Sequence, residues 1–131
     1  MPDRPSGPRI LLVEDEPANR ALVRAILDRT DRPQLRGTVL YEAETIAQAR
    51  ALLASHALDI VLVDVRLPDG NGLDLAAELR AHPAGRARVV IVSASVLPPE
   101  RTSALATGAD AFLAKPLDPS DFVDLLVRLS A

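Results

Sequence analysis

Short apolar runs in this chain end in residues that can do chemistry. Ile10–Val13 runs into Glu14-Asp15-Glu16, Ile60–Val63 into Asp64, Val89–Val92 into Ser93, and the stretch AFLA into Lys115-Pro116. Lys115 is the only lysine among 15 basic residues, which points to a place where a compact ammonium fits and a planar guanidinium does not. Asp64 follows four apolar residues with no helix pattern directly behind it. A buried strand therefore presents it, where an unpaired charge is costly. If the runs lie side by side, two or three carboxylates, a hydroxyl and one ammonium share a crevice. Carboxylates held that close repel, and one takes a proton unless a cation sits among them. Oxygen ligands with positions left for water suit Mg2+ over a soft metal. A Mg2+ on Asp15 and Asp64 would leave room for a phosphoryl oxygen and offset charge during in-line transfer onto the Asp64 carboxylate. The product would be an acyl phosphate, whose oxygens Lys115 and Ser93 can bind.

Each residue taken alone has a plainer reading. Asp15 or Glu16 ahead of Pro17 can cap a helix, and Ser93 can form a turn. Lys115-Pro116 can be a simple turn as well, and Pro68-Asp69-Gly70-Asn71-Gly72 reads as a turn leading into a helix cap. Coincidence at all four run ends is the weaker explanation.

The elements that would position these residues follow from periodicity. The β-branched or leucine-rich runs Ile10–Val13, Thr38–Tyr41, Ile60–Val63, Val89–Val92 and Ala111–Leu113 alternate with stretches of helical spacing. Pro17–Arg29 places Leu22, Val23, Ile26 and Leu27 on one stripe, with Pro17 suited to the first helical position. Thr45–Ser55, Gly72–Ala81 and Ser120–Leu129 repeat the pattern. Pro98–Ala106 is a weaker helix, poor in large apolar side chains and therefore a mobile element. The segment Asp28–Gly37, DRTDRPQLRG, reads as a long loose link. Five strand–helix alternations with strands apolar on both faces predict a parallel sheet covered on both sides. Right-handed crossovers leave an open doubly wound sheet with its chemistry at the carboxyl ends of the strands.

Composition narrows the function classes. The 131 residues suffice for one domain, and 48% are hydrophobic with only 2% aromatic. A formal charge of −3 disfavours direct nucleic-acid or membrane binding. The absence of cysteine excludes thiol chemistry and disulfides. No apolar run approaches the roughly 20 residues of a membrane helix, and nothing resembles a secretory leader. The expectation is a soluble cytoplasmic domain. Residues 1–8, with three prolines, a glycine and a serine, read as a flexible tail. Residues 9–131 read as the domain. His56 and His82 fall away from every strand end and read as surface residues.

The pieces ILLVEDE, DIVLVDVRLPDGNG, VVIVSAS and GADAFLAKP, in that order, resemble the response-regulator receiver domain, the CheY-like module of two-component signalling. The likeness extends over about residues 9–130. It implies an α/β fold of the flavodoxin-like kind, a (βα)5 doubly wound arrangement whose five-stranded parallel sheet has the order 2-1-3-4-5. Carried over, it makes Asp64 the phosphoacceptor and Asp15 a direct Mg2+ ligand. Glu14 acts through water, and the backbone carbonyl of Arg66 completes the protein's ligands. It gives Ser93 the hydroxyl switch position, Phe112 the aromatic one and Lys115 the phosphate contact, with a cis Lys115–Pro116 peptide. Arg66 and Ser95 fall where the family tunes phosphoryl lifetime. Phe112 stands where tyrosine is commoner, so switching here would be a packing event alone.

The implied function is a phosphorylation switch and not an enzyme in its own right. A sensor histidine kinase or histidine phosphotransfer protein supplies the phosphoryl group. The surface of the fourth helix, fifth strand and fifth helix then changes for a downstream protein target, and a homodimer stays open. Two rivals remain. A haloacid-dehalogenase-like phosphohydrolase also uses an aspartyl nucleophile with Mg2+, but it carries the nucleophile on the first strand and a second acid two residues on, where this chain has Arg66. A phosphorylation-independent receiver scaffold would lack one of the acids, the hydroxyl or the lysine, and none is missing. Neither glycine pattern of a Rossmann or P-loop nucleotide binder occurs.

Overall fold

The apolar runs become strands, most of them because their residues are apolar on both faces. A computed structural model, which describes residues 7–81, 87–94 and 98–130, contains β1 (Arg9–Val13), β2 (Val39–Ala43), β3 (Ile60–Asp64), β4 (Arg88–Ser93) and β5 (Ala111–Ala114). All four pairings are parallel, and the order is β2-β1-β3-β4-β5, as predicted. The helices are α1 (Pro17–Arg29), α2 (Ile46–Ser55), α3 (Gly72–Ala81), α4 (Pro98–Ala106) and α5 (Pro119–Leu129). Three of them keep the bounds expected from periodicity. In α2, Thr45 is the cap and its side chain accepts from the Gln48 N–H, which satisfies one of the helix's free donors. In α5, Asp118 plays the same part for Asp121.

The strands sort their side chains with period two. Ile10, Leu12, Ile60, Leu62, Val90 and Val92 face one core with Val23 and Ile26 of α1 and Phe122, Leu125 and Leu126 of α5. Leu11, Val13, Val61, Val63, Val89 and Ile91 face the other with Ile46 and Ala49 of α2, Leu75 and Ala76 of α3 and Ala104 of α4. Every residue of central β3 is buried. Burying such a side chain fully contributes about 1.5–3 kcal/mol, so the two faces anchor the strand whose last residue is Asp64. Helix α4 is the exception: Ala104 is its one buried hydrophobic among the described residues, and Leu105 is 49% exposed.

Four expectations need correction. The link Asp28–Gly37 is not loose. Pro33–Leu35 forms a 3-10 turn, and Leu35 is 3% exposed in the α1/α5 core. The turn is fastened by Thr38 Oγ1, which donates to the Leu35 carbonyl at 2.6 Å, and by Arg32, whose guanidinium meets Asp124 of α5 at 2.8 Å. Strand β2 runs on through Ala43, so Glu42 belongs to the strand and not to its following loop. Leu22 lies at the margin of the α1 stripe and is 36% exposed. His56 is half-buried, its ring 4.4 Å from that of Tyr41; His82 lies outside the described residues.

At the other end of the chain, most of the expected 1–8 tail lies outside the described residues. Its last two residues pack on the fold: Pro8 is buried, and its carbonyl accepts from the Val39 N–H.

Candidate functional site

The carboxyl ends of β1, β3 and β5 bring Glu14, Asp64 and Lys115 together. Each continues the alternation of its strand on the α1/α5 side. Lys115 Nζ donates to Glu14 Oε1 at 2.6 Å and to Asp64 Oδ2 at 3.0 Å. Glu14 is 3% exposed and Asp64 9%, so the ammonium is what makes two buried carboxylates tolerable. Asp15, half-exposed, joins them: carboxylate oxygens of Glu14, Asp15 and Asp64 all lie within 4.8 Å of one another. Three carboxylates against one ammonium leave the cluster short of positive charge. The all-oxygen donor set and its spacing fit a hard divalent cation.

Backbone hydrogen bonds hold these strand ends in place. Glu14 N–H donates to the Ala43 carbonyl, Val65 N–H to that of Val92, and Lys115 N–H to that of Ser93. After Asp64 the chain makes a short antiparallel ladder, Arg66–Leu67 against Gly70–Asn71. It then enters α3, where the Asn71 Oδ1 accepts from the Leu73 N–H. Asp69 at the tip accepts from the Ile46 and Ala47 N–H groups at 2.8 and 3.0 Å. Those two amides, with help from Arg50, hold its carboxyl below the usual range. The tip thus caps α2, a neighbouring helix, besides serving its own turn.

Gly72 is the tight point of this connection. Its N–H donates to the Val65 carbonyl at 2.7 Å, and a Cβ placed there would fall 1.9 Å from the Asp64 carbonyl oxygen. A backbone atom cannot swing aside as a side chain can. Gly72→Ala is expected to cost roughly 2–3 kcal/mol of stability, read as a lower urea midpoint with unchanged slope. A midpoint equal to the parent's would contradict this packing.

The electrostatics of the buried pair run in opposite senses for burial and pairing. Burial lifts the Glu14 carboxyl above 4.5, against the hydrogen bonds from Lys115 and the Glu16 N–H. For Lys115, burial alone would lower its pKa, but its bonds to Glu14 and Asp64 outweigh that and hold it above 10.5. The folded chain therefore binds the Glu14 proton more readily than the unfolded chain does. This contribution favours folding below about 4.5 and is lost as pH rises through the raised folded value. Glu14→Gln removes that dependence. In metal-free urea titrations, variant stability minus parent stability should therefore grow from about pH 4 to about pH 7. A flat or shrinking difference would contradict the buried-carboxylate assignment.

Of the other expected residues, Arg66 meets this cluster through its backbone N–H, while Ser93 and Phe112 continue the opposite face of the sheet. Ser93, 6% exposed, ends β4 one residue beyond Val92, the register partner of Asp64. With Phe112, half-buried on β5, it faces the α3/α4 side. Both line a cavity of about 490 Å³ together with Arg66, Asn71 and Ser103. The Arg66 side chain is exposed, and its N–H donates to Asp64 Oδ1 at 3.3 Å. Ser95 lies outside the described residues. The Lys115–Pro116 peptide is cis. Neither Asp15 nor Glu16 is a side-chain helix cap: Glu16 holds the cap position of α1 without such a bond.

Sequence reasoning missed Asp69 as the α2 cap and Arg20 beside the acidic loop. Arg20 Nη1 donates to the carbonyls of both Glu14 and Asp15. An arginine one turn into α1, directly behind an acidic loop, was the signal available for it.

Comparison with known proteins agrees with this arrangement. Residues 10–127 match the family model described as the response regulator receiver domain. The Sensory/regulatory protein RpfC of Xanthomonas campestris is 34% identical over 125 residues, 93% of this chain and 16% of that protein. The KDP operon transcriptional regulatory protein KdpE of Escherichia coli is 34% identical over 107 residues, 82% of this chain and 44% of its own length. This chain therefore spans less than half of either relative. Among solved structures, the receiver domain of the Pseudomonas aeruginosa sensor histidine kinase PA1611, with magnesium coordinated in its active site cleft, superposes with a TM-score of 0.81. It is 30% identical, and the match covers 95% of this chain and 98% of that one. A CheY-like receiver domain protein from Methanospirillum hungatei gives a TM-score of 0.80 at 25% identity, over 95% of this chain and 94% of that one. Among the described residues, no helix is long and apolar enough to cross a membrane.

Proposed function

The chain belongs to the response regulator receiver domain family, and we propose that residues 9–131 act as a cytoplasmic phosphoacceptor switch whose acceptor is Asp64. The observation that carries this is the sharing of Lys115 between Glu14 and Asp64 at 2.6 and 3.0 Å, with Asp15 close by. Asp15, Asp64 and the Arg66 carbonyl would hold Mg2+, with Glu14 behind them, and the ion would supply charge neutralisation at the phosphoryl oxygens.

The chain's own residues supply the rest. An Asp64 carboxylate oxygen attacks the phosphorus of a phosphohistidine on a sensor kinase or phosphotransfer protein. The new O–P bond forms as the P–N bond breaks, and the donor nitrogen keeps the electron pair. Lys115, already 3.0 Å from Asp64, is positioned to bind a phosphoryl oxygen. Ser93 reaches another oxygen by moving toward the site, and Phe112 repacks into the space beside it, altering the α4–β5–α5 surface for a downstream protein. Taking a mostly inactive population to a mostly active one needs about 5.5 kcal/mol of differential stabilisation. Charge-assisted bonds to phosphoryl oxygens supply energies of that order.

A single stoichiometric phosphorylation by a small acyl-phosphate donor supports the switch, and sustained turnover of a phosphomonoester would instead mark a phosphohydrolase. The residue two beyond Asp64 is an exposed arginine and not a second acid, which favours the switch. Arg66, two residues beyond the acceptor with its N–H on Asp64 Oδ1, is also proposed to set how long the acyl phosphate survives. Arg66→Ala is expected to shorten the phosphoryl half-life severalfold, and equal decay rates would end that idea.

A further inference from the structure

The Asp15 carboxylate needs something to aim it. Lys115 holds Glu14 and Asp64, but its contacts do not extend to Asp15. Helix capping does not fix the loop either, because Glu16 makes no side-chain cap bond. Arg20 is the group in position. From one turn inside α1, its Nη1 donates to the Glu14 carbonyl and to the Asp15 carbonyl, each at 3.0 Å. Its Nε lies 3.4 Å from Glu42 at the end of β2, and Nη1 lies 3.9 Å from Glu44. The Arg20 side chain is only 14% exposed.

Those two carbonyls belong to the peptide planes on either side of the Asp15 Cα. Holding both oxygens against one nitrogen restrains the two backbone torsions between them and, together with the bond from the Glu16 N–H to Glu14 Oε2, the direction in which the Asp15 side chain leaves the loop. Glu42 and Glu44 hold the guanidinium from behind and offset its charge, so Arg20 does not stand in for the cation the acids call for.

We propose that Arg20 is the positioning residue for the divalent-cation site: it sets the backbone of Glu14 and Asp15 so that the Asp15 carboxylate is presented to the ion. The inference rests on the Mg2+ reading given above. Groups that orient metal ligands are commonly worth 10–100-fold in metal affinity.

The test is Mg2+ binding by isothermal titration calorimetry on the parent, Arg20→Met and Arg20→Lys, with phosphorylation by acetyl phosphate followed as a function of Mg2+. Methionine keeps much of the apolar stem and removes the donors. Its affinity for Mg2+ should fall about tenfold, while its phosphorylation rate at saturating Mg2+ returns to within about twofold of the parent's. Lysine keeps the charge beside Glu42 and Glu44 and part of the donor set, so its affinity should fall between the two. A general loss of structure would instead depress the rate at every Mg2+ concentration, and that result overturns the proposal. So does parental affinity in Arg20→Met or, should that variant not fold, in Arg20→Lys. If the parent itself shows no Mg2+ binding, it is the reading of the site that fails. Parent binding with undiminished variants fails the assignment to Arg20 alone.

Discussion

Asp64→Asn should abolish phosphoryl uptake. Incubated with acetyl phosphate and Mg2+, the parent chain gains the mass of one phosphoryl group, and the variant gains none above background. The substitution preserves the shape of the side chain but replaces a carboxylate oxygen with an amide, which is not a nucleophile under these conditions. It should not unfold the chain. Asp64 is 9% exposed at the end of a strand whose other residues are fully buried, and the change removes one of three clustered negative charges while leaving Lys115 with Glu14 at 2.6 Å. Normal thermal unfolding together with lost uptake is therefore the expected pair of results. Equal mass gain in both proteins would place the acceptor elsewhere.

Lys115→Met carries the second large effect, and it acts on two quantities. The rate of phosphorylation should fall about a hundredfold or more, the usual consequence of removing one donor aimed at charge that develops in a transition state. Stability in metal-free buffer should fall as well, because Glu14 and Asp64 lose the ammonium that sits between them. A fully buried pair broken on one side costs about 3–5 kcal/mol. The Lys115 side chain is 16% exposed, so water recovers part of that, and about 1–3 kcal/mol is expected. Mg2+ should restore much of the loss, since it places positive charge among the same carboxylates. Urea unfolding with and without Mg2+ measures this. A variant as stable and as rapidly phosphorylated as the parent would contradict the role given to the shared ammonium.

The fold was legible because its strands carry one kind of residue on both faces, a pattern that parallel sheets alone commonly produce. The grouping at the site was legible too, and more finely than strand ends suggest. Glu14 follows the alternation of Ile10 and Leu12, Asp64 that of Ile60 and Leu62, and Lys115 that of Ala111 and Leu113, so all three fall on the α1/α5 side. Ser93 and Phe112 follow the alternation that faces α3 and α4.

What stayed hidden depends on contacts between elements distant in sequence. Leu35 is one leucine in a polar segment, and its burial comes from the α1/α5 core it packs into, with the exposed Arg32–Asp124 pair beside it. Asp69 has the local chemistry of a turn, yet its carboxylate serves the first amides of α2. Leu22 fits the helical stripe of α1 but falls at its edge, 36% exposed beside an open cleft between α1 and α5. Arg20 is one of 14 arginines; its place one turn behind an acidic loop sets it apart, but its grip on the Glu14 and Asp15 carbonyls exists only once the loop and the helix are folded together.

The central claim is that a divalent ion and Lys115 together make Asp64 a site for a phosphoryl group. A crystal structure of the chain with Mg2+ and a beryllofluoride mimic of the acyl phosphate tests it most directly. The expected density places beryllium on an Asp64 oxygen, a fluorine beside Lys115 Nζ, and Mg2+ against Asp15, Asp64 and the Arg66 carbonyl. Density for the mimic on another carboxylate, or a crevice holding neither ion nor mimic at saturating concentrations of both, would contradict it.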